Sequence, residues 1–104
     1  MEIQPVIILI TINARPEKRK ELRQTLQSIV EQVRKEGGCL HAAAYQSIEN
    51  ENDLLVVEEW ETQRHSDDHL KSDIFTIIIG ARSLMCRPPK IVTHMVRCCG
   101  SIKP

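Results

Sequence analysis

The sequence predicts an α+β fold, with four strands and two helices in the order β-α-β-β-α-β. Three observations carry that reading. Residues 6–12 (VIILITI) and 54–60 (LLVVEEW) are rich in β-branched side chains and largely apolar on both parities, which marks strands. Two stretches with apolar residues at helical spacing alternate with the strand-like runs. Gly37-Gly38 and Arg87-Pro88-Pro89 punctuate the chain where a helix should stop and a rigid connector should start. The plan is ferredoxin-like: a four-stranded antiparallel sheet with both helices on one face.

Each element follows in turn. Asn13-Ala14-Arg15-Pro16 ends the first strand, and Pro16 suits the first residue of a helix, where a missing N–H costs nothing. Between residues 17 and 36 the apolar positions Leu22, Leu26, Ile29, Val30 and Val33 form one stripe opposite a charged face. Residues 39–47 (CLHAAAYQS) read as a second strand, and the polar turn at 48–53 (IENEND) joins it to the third as a hairpin. Thr62 can cap a second helix, broken or bent near Ser72-Asp73, with Leu70, Ile74, Ile77, Ile78, Ala81 and Leu84 as its stripe. Residues 90–96 (KIVTHMV) form the fourth strand, and 97–104 a short tail.

The 104 residues fit one domain, residues 1–104, with a core at about 3–96. Fourteen basic side chains balance fourteen acidic ones, so no electrostatic footprint for nucleic acid or an anionic membrane is present. Aromatic residues make up only 3% of the chain, which argues against stacking platforms for single-stranded nucleic acid. No secretory leader or membrane-spanning run is visible, so a cytoplasmic protein is expected, with its four cysteines as thiols. Two helices cover one sheet face only, yet the first and third strands look apolar on both. A second copy packed sheet to sheet is the simplest cover, which predicts a homodimer through the sheet face.

The candidate chemistry centres on Glu58, Trp60 and His69. Strand alternation sets Glu58 and Trp60 on one sheet face, and His69 lies at the edge of the second helix's stripe. In one cavity, His69 could act as a base with Glu58 as a second catalytic group, and Trp60 would offer an aromatic wall. The bland alternative is a packed Trp60, a structural ion pair at Glu58, and a His69 that fastens helix to strand. Tyr45 and His41 share a parity on the alanine-rich strand, where they border a substrate pocket or fill the sheet–sheet interface. Asn13 could hold a substrate oxygen or simply make the turn. His65 and His69 have the i, i+4 spacing of a zinc pair, but no third ligand is marked, so no metal is expected. Cys86 beside Arg87, and Cys98-Cys99 with His94, are weak candidates for redox sensing.

Several segments together resemble the antibiotic-biosynthesis-monooxygenase superfamily. They are the apolar first strand followed by Ala14-Arg15-Pro16-Glu17-Lys18, Gly38-Cys39-Leu40 with Tyr45, and Pro88-Pro89 before the last strand. The most specific is Val57-Glu58-Glu59-Trp60, then His69-Leu70 and Ser72-Asp73-Ile74-Phe75. The resemblance implies a dimeric α+β barrel, with a cavity between the sheet and the second helix of each protomer. It also implies a monooxygenase or related oxidoreductase that uses no cofactor and acts on a small aromatic or quinol-like substrate. A non-catalytic dimeric small-molecule-binding or stress-associated domain is the alternative, as is an isomerase or lyase on the same scaffold. The chain departs from specialised members. Val56 stands where anthrone-oxidising members carry Asn, and an uncharged residue near Thr76 stands where they use Arg, with Arg82 the nearest substitute. Ile10 and about Ile79 stand where haem-degrading members carry Asn and His. On this reading His69→Ala should lower turnover at least about tenfold. The fold should survive, because Leu70, Ile74 and Ile77 would still anchor the helix.

Overall fold

The computed structural model describes residues 4–96; the tail with Cys98 and Cys99 lies outside the described residues. Strand β1 (Val6–Asn13) leads through a single 3-10 turn at Pro16–Lys18 into α1 (Arg19–Val33). A hairpin of β2 (Cys39–Gln46) and β3 (Asp53–Trp60) follows, then α2 (Gln63–Leu70), α3 (Asp73–Gly80), a 3-10 turn at Ala81–Leu84, and β4 (Lys90–Met95). The strands form one sheet in the order β2-β3-β1-β4, antiparallel throughout. The α+β, ferredoxin-like architecture read from the sequence is the observed one, with element ends shifted by a residue or two, as frayed termini allow.

Period-two alternation sorts the two central strands. Val6, Ile8, Ile10 and Ile12 of β1 are buried beneath the helices, as are Leu54, Val56, Glu58 and Trp60 of β3. All five stripe residues of α1 are buried against them, so the periodicity of that helix located its core face. The opposite sheet face carries Leu9, Val57 and Val92 across three neighbouring strands, half-buried with no helix among the described residues above them.

The second helix breaks where expected, and the break has a cause. Thr62 caps α2 by accepting from the His65 N–H at 3.2 Å. Ser72 caps α3 by accepting from the Phe75 N–H at 3.3 Å, while its own hydroxyl donates to the His69 carbonyl at 2.6 Å. Two caps in ten residues reset the helical phase. Ile78 therefore takes the buried position in α3 while Ile77 is 47% exposed, which corrects Ile77 as a core anchor. No helix among the described residues is long and apolar enough to cross a membrane.

Candidate functional site

The end of β3, the middle of α2 and the loop after α1 meet at one buried cluster. Alternation on β3 brings Glu58 and Trp60 to the helix face two residues apart, and the Trp60 indole N–H donates to Glu58 Oε1 at 3.1 Å. One face of α2 turns Ser66 and His69 inward, the helix's two buried residues. His69 stacks on Trp60 with ring centroids 4.6 Å apart and meets Phe75 edge-on at 6.0 Å. The third contribution is Glu36, brought back over the sheet by Gly38, whose φ of +86° turns the chain sharply into β2. The His65 ring fills the space beside Gly38 where a side chain would stand.

The His69 imidazole lies between two carboxylates. Nδ1 donates to Glu36 Oε2 at 2.9 Å. Nε2 lies 2.9 Å from Glu58 Oε1, an ion-pair contact too bent to be a good hydrogen bond. The Glu58 and His69 side chains are fully buried, whereas Glu36 keeps 24% of its side-chain surface and so connects the cluster to solvent. Burial alone would lower the imidazole's pKa, but contact with Glu58 first, and Glu36 second, outweighs it and holds the pKa above 6.5. Both ring nitrogens thus face carboxylates, and these surroundings favour the protonated imidazole over the neutral one. Glu58 Oε2 and Ser66 Oγ, both buried, have no hydrogen-bond partner among the described residues. Buried oxygens are rarely left unpaired, so each of these two has capacity for a further hydrogen bond. Cys39 adjoins the cluster, its thiol pKa pushed up by burial and then by the charge of Glu58, so it stays protonated and unreactive.

A pH dependence follows. Because the folded pKa of His69 is raised, its stabilising contribution is complete below about pH 6.5 and is lost as pH climbs through the folded value. The stability gap between wild type and His69→Gln should therefore narrow steadily above pH 6.5 in urea titrations. A gap that widens with pH would overturn the ion-pair assignment.

Of the residues marked in the sequence, the structure brings together His69, Glu58 and Trp60. It separates them from Tyr45, His41 and Asn13. The β2–β3 register pairs His41 with Glu59 and Tyr45 with Leu55, on the face opposite Glu58 and Trp60. Asn13 shares that opposite face, where its amide donates to Asp53 Oδ1 at 2.6 Å, which is turn chemistry. The six thus cannot line one cavity within a protomer. His65 and His69 do not share partners either: the Nδ1 of His65 pairs with Thr62 Oγ1 at 2.7 Å, whereas His69 pairs with Glu36 and Glu58. Among the described residues no group of three or more His, Cys, Asp or Glu could hold a metal ion. Glu36 and Ser66 went unmarked in the sequence. Glu36 looks like any charge at a helix end, and only the proximity of the two glycines could have drawn attention to it.

The overall fold has close counterparts among solved structures. A conserved protein from Methanosarcina mazei is 28% identical, with a TM-score of 0.81 over 88% of this chain and 92% of that one. A candidate antibiotic biosynthesis monooxygenase from Deinococcus radiodurans is 25% identical, with a TM-score of 0.86 over 95% and 99%. An uncharacterized Synechocystis protein is 24% identical over 93 residues; the chain spans 63% of the length of that curated relative. The profile of the family described as antibiotic biosynthesis monooxygenase matches residues 5–79. That span runs from β1 through nearly all of α3 and includes Glu36, Glu58, Trp60 and His69, so the chain belongs to the antibiotic biosynthesis monooxygenase family.

Proposed function

We propose that this protein is a monooxygenase-type oxidoreductase that acts on a small aromatic or quinol-like substrate without a cofactor of its own. The observation that carries this reading is the unpaired, buried Oε2 of Glu58, held beside the His69 ring and an aromatic wall. A phenolic hydroxyl would satisfy that oxygen and give up its proton to it. His69 then stabilises the carboxylate, and Glu36 offers the route by which a proton leaves to solvent. The ionised, electron-rich ring reduces O₂; one oxygen atom enters the product and the other leaves as water, with all four electrons drawn from the substrate, as when a quinol becomes a hydroxyquinone. This assigns the base to Glu58 rather than His69, whose ring nitrogens both face carboxylates.

The test is oxygen uptake by metal-free protein with a panel of quinols and phenols. Glu58→Gln keeps the shape but cannot accept the proton, so turnover should fall about 10²–10⁴-fold. Turnover unchanged in Glu58→Gln would remove the assignment.

A second reading, a non-catalytic dimeric domain, is favoured by one specific observation: the cluster is closed, with His69 and Trp60 each at most 2% exposed. On that reading the cluster clamps α2 to β3 and to the loop after α1. Absence of uptake across the panel, from folded protein, would select it.

In either reading we place a second copy on the open sheet face, as members of this family typically dimerise. Leu9, Val57 and Val92 supply its apolar centre, with Tyr45 and His41 toward the β2 edge. Light scattering after size exclusion should give twice the monomer mass of 11.9 kDa; a monodisperse monomer at micromolar concentration overturns this. The free thiols Cys39 and Cys86 suit a reducing compartment such as the cytoplasm.

A further inference from the structure

A groove of about 730 Å³ runs between α1 and the edge strand β2, away from the His69 cluster. That volume lies within the range of small-molecule sites, about 300–1,000 Å³. Its floor is closed by Leu26 and Val30 of α1 and Leu54 of β3, each at most 4% exposed, and its exposed apolar surface comes from Ala44 and Tyr45 of β2. Its rim is cationic: Arg19, Lys20, Arg23 and Arg34 line it, against Glu31 as the one acid. Two of these cations are engaged. Arg19 meets Asn52 at 2.9 Å and Glu51 at 3.3 Å, and the Nε of Arg34 donates to the Ala42 carbonyl at 2.8 Å. Lys20 and Arg23 have no ion-pair partner among the described residues.

The charge placement is costly for the helix alone. Arg19, Lys20 and Arg23 crowd the first turns of α1, where the helix dipole is positive and repels cations. A bound anion would offset both the dipole and the mutual repulsion. The groove runs on past Val30, where Glu31 and Arg34 also line it, and the rise from Arg19 to Val30 is about 16 Å at ~1.5 Å per residue. A second copy is a poor occupant, because two such rims face to face would oppose four cations to four.

We propose that this groove binds a small amphipathic carboxylate, its anionic head at Lys20 and Arg23 and its apolar body against Ala44 and Tyr45. Guanidinium and ammonium donors hold the head by charge-assisted hydrogen bonds, and burial of the body supplies the rest of the affinity. The site is separate from the Glu58–His69 cluster, so it stands or falls independently of the oxidation chemistry.

Decanoate is a fitting probe, with decan-1-ol as the uncharged control and inorganic phosphate as the head without a body. Calorimetry on the full chain should show decanoate binding at least about tenfold tighter than either control. Amide shifts in NMR spectra should concentrate in Arg19–Val33 and at Ala44 to Gln46. Lys20→Ala/Arg23→Ala, both exposed positions, should weaken decanoate at least about tenfold, while Glu58→Gln leaves it unchanged. Equal affinity for decanoate and decan-1-ol would overturn the proposal. So would shifts centred on Leu9, Val57 and Val92 of the open sheet face, and both results are read on the unmodified protein.

Discussion

His69→Leu should destabilise the fold by about 3–5 kcal/mol, the usual cost of leaving a buried charge without its partner. Glu58 is wholly buried and loses its countercharge, whereas Glu36 is partly exposed and can return to water. The aromatic stack on Trp60 goes as well. This replaces the expectation that His69 could be removed with the fold intact: Ile77 was one of the supposed anchors and faces solvent. Urea denaturation measures the loss. His69→Leu/Glu58→Leu, which removes both buried charges, should recover a substantial part of it. A single variant as stable as wild type, or a double variant no better than the single, would show that the pair is not coupled as the 2.9 Å contact requires.

Gly38→Ala should be nearly as severe, at about 2–5 kcal/mol, from two separable causes. At φ +86° any side chain incurs the left-handed penalty of roughly 1–2 kcal/mol. The new methyl group would also occupy the space of the His65 ring, which adds an overpacking cost of about 1–3 kcal/mol. Gly38→Ala/His65→Ala should relieve the second cost and leave the first. Because Gly38 sets the turn that returns Glu36 to His69, and its carbonyl accepts from the Glu61 N–H at 2.8 Å, the single variant should also impair any activity that depends on the cluster. Equal stability of Gly38→Ala and wild type would mean the turn relaxes without cost.

The family resemblance and the element order were legible because they rest on local features. The five-residue stripe of α1, the cap at Thr62, the break near Ser72-Asp73 and the alternation of β3 each rest on features a few residues long. The pairing of Glu58 with Trp60 was readable for the same reason, since two residues along a strand return to the same face. The stripe of the second helix was read less well. A helix interrupted at Lys71 and Ser72 restarts its phase, and a single periodicity carried across the break assigns Ile77 wrongly.

The sequence by itself determined that this chain is an α+β domain with one helix-covered sheet face, and that Glu58, Trp60 and His69 are its chemically notable residues. Periodicity, capping and motif spacing act over a turn or a strand, so they survive without three-dimensional information. Only the tertiary structure decided that His69 meets Glu36, 33 residues away. It alone set Tyr45, His41 and Asn13 on the opposite face, and gathered the cations of α1 beside an apolar floor that β3 helps to build. Those facts depend on strand register, on the turn at Gly38 and on which element crosses above which. A one-residue slip in register would exchange the two sheet faces, and no local signal reports it.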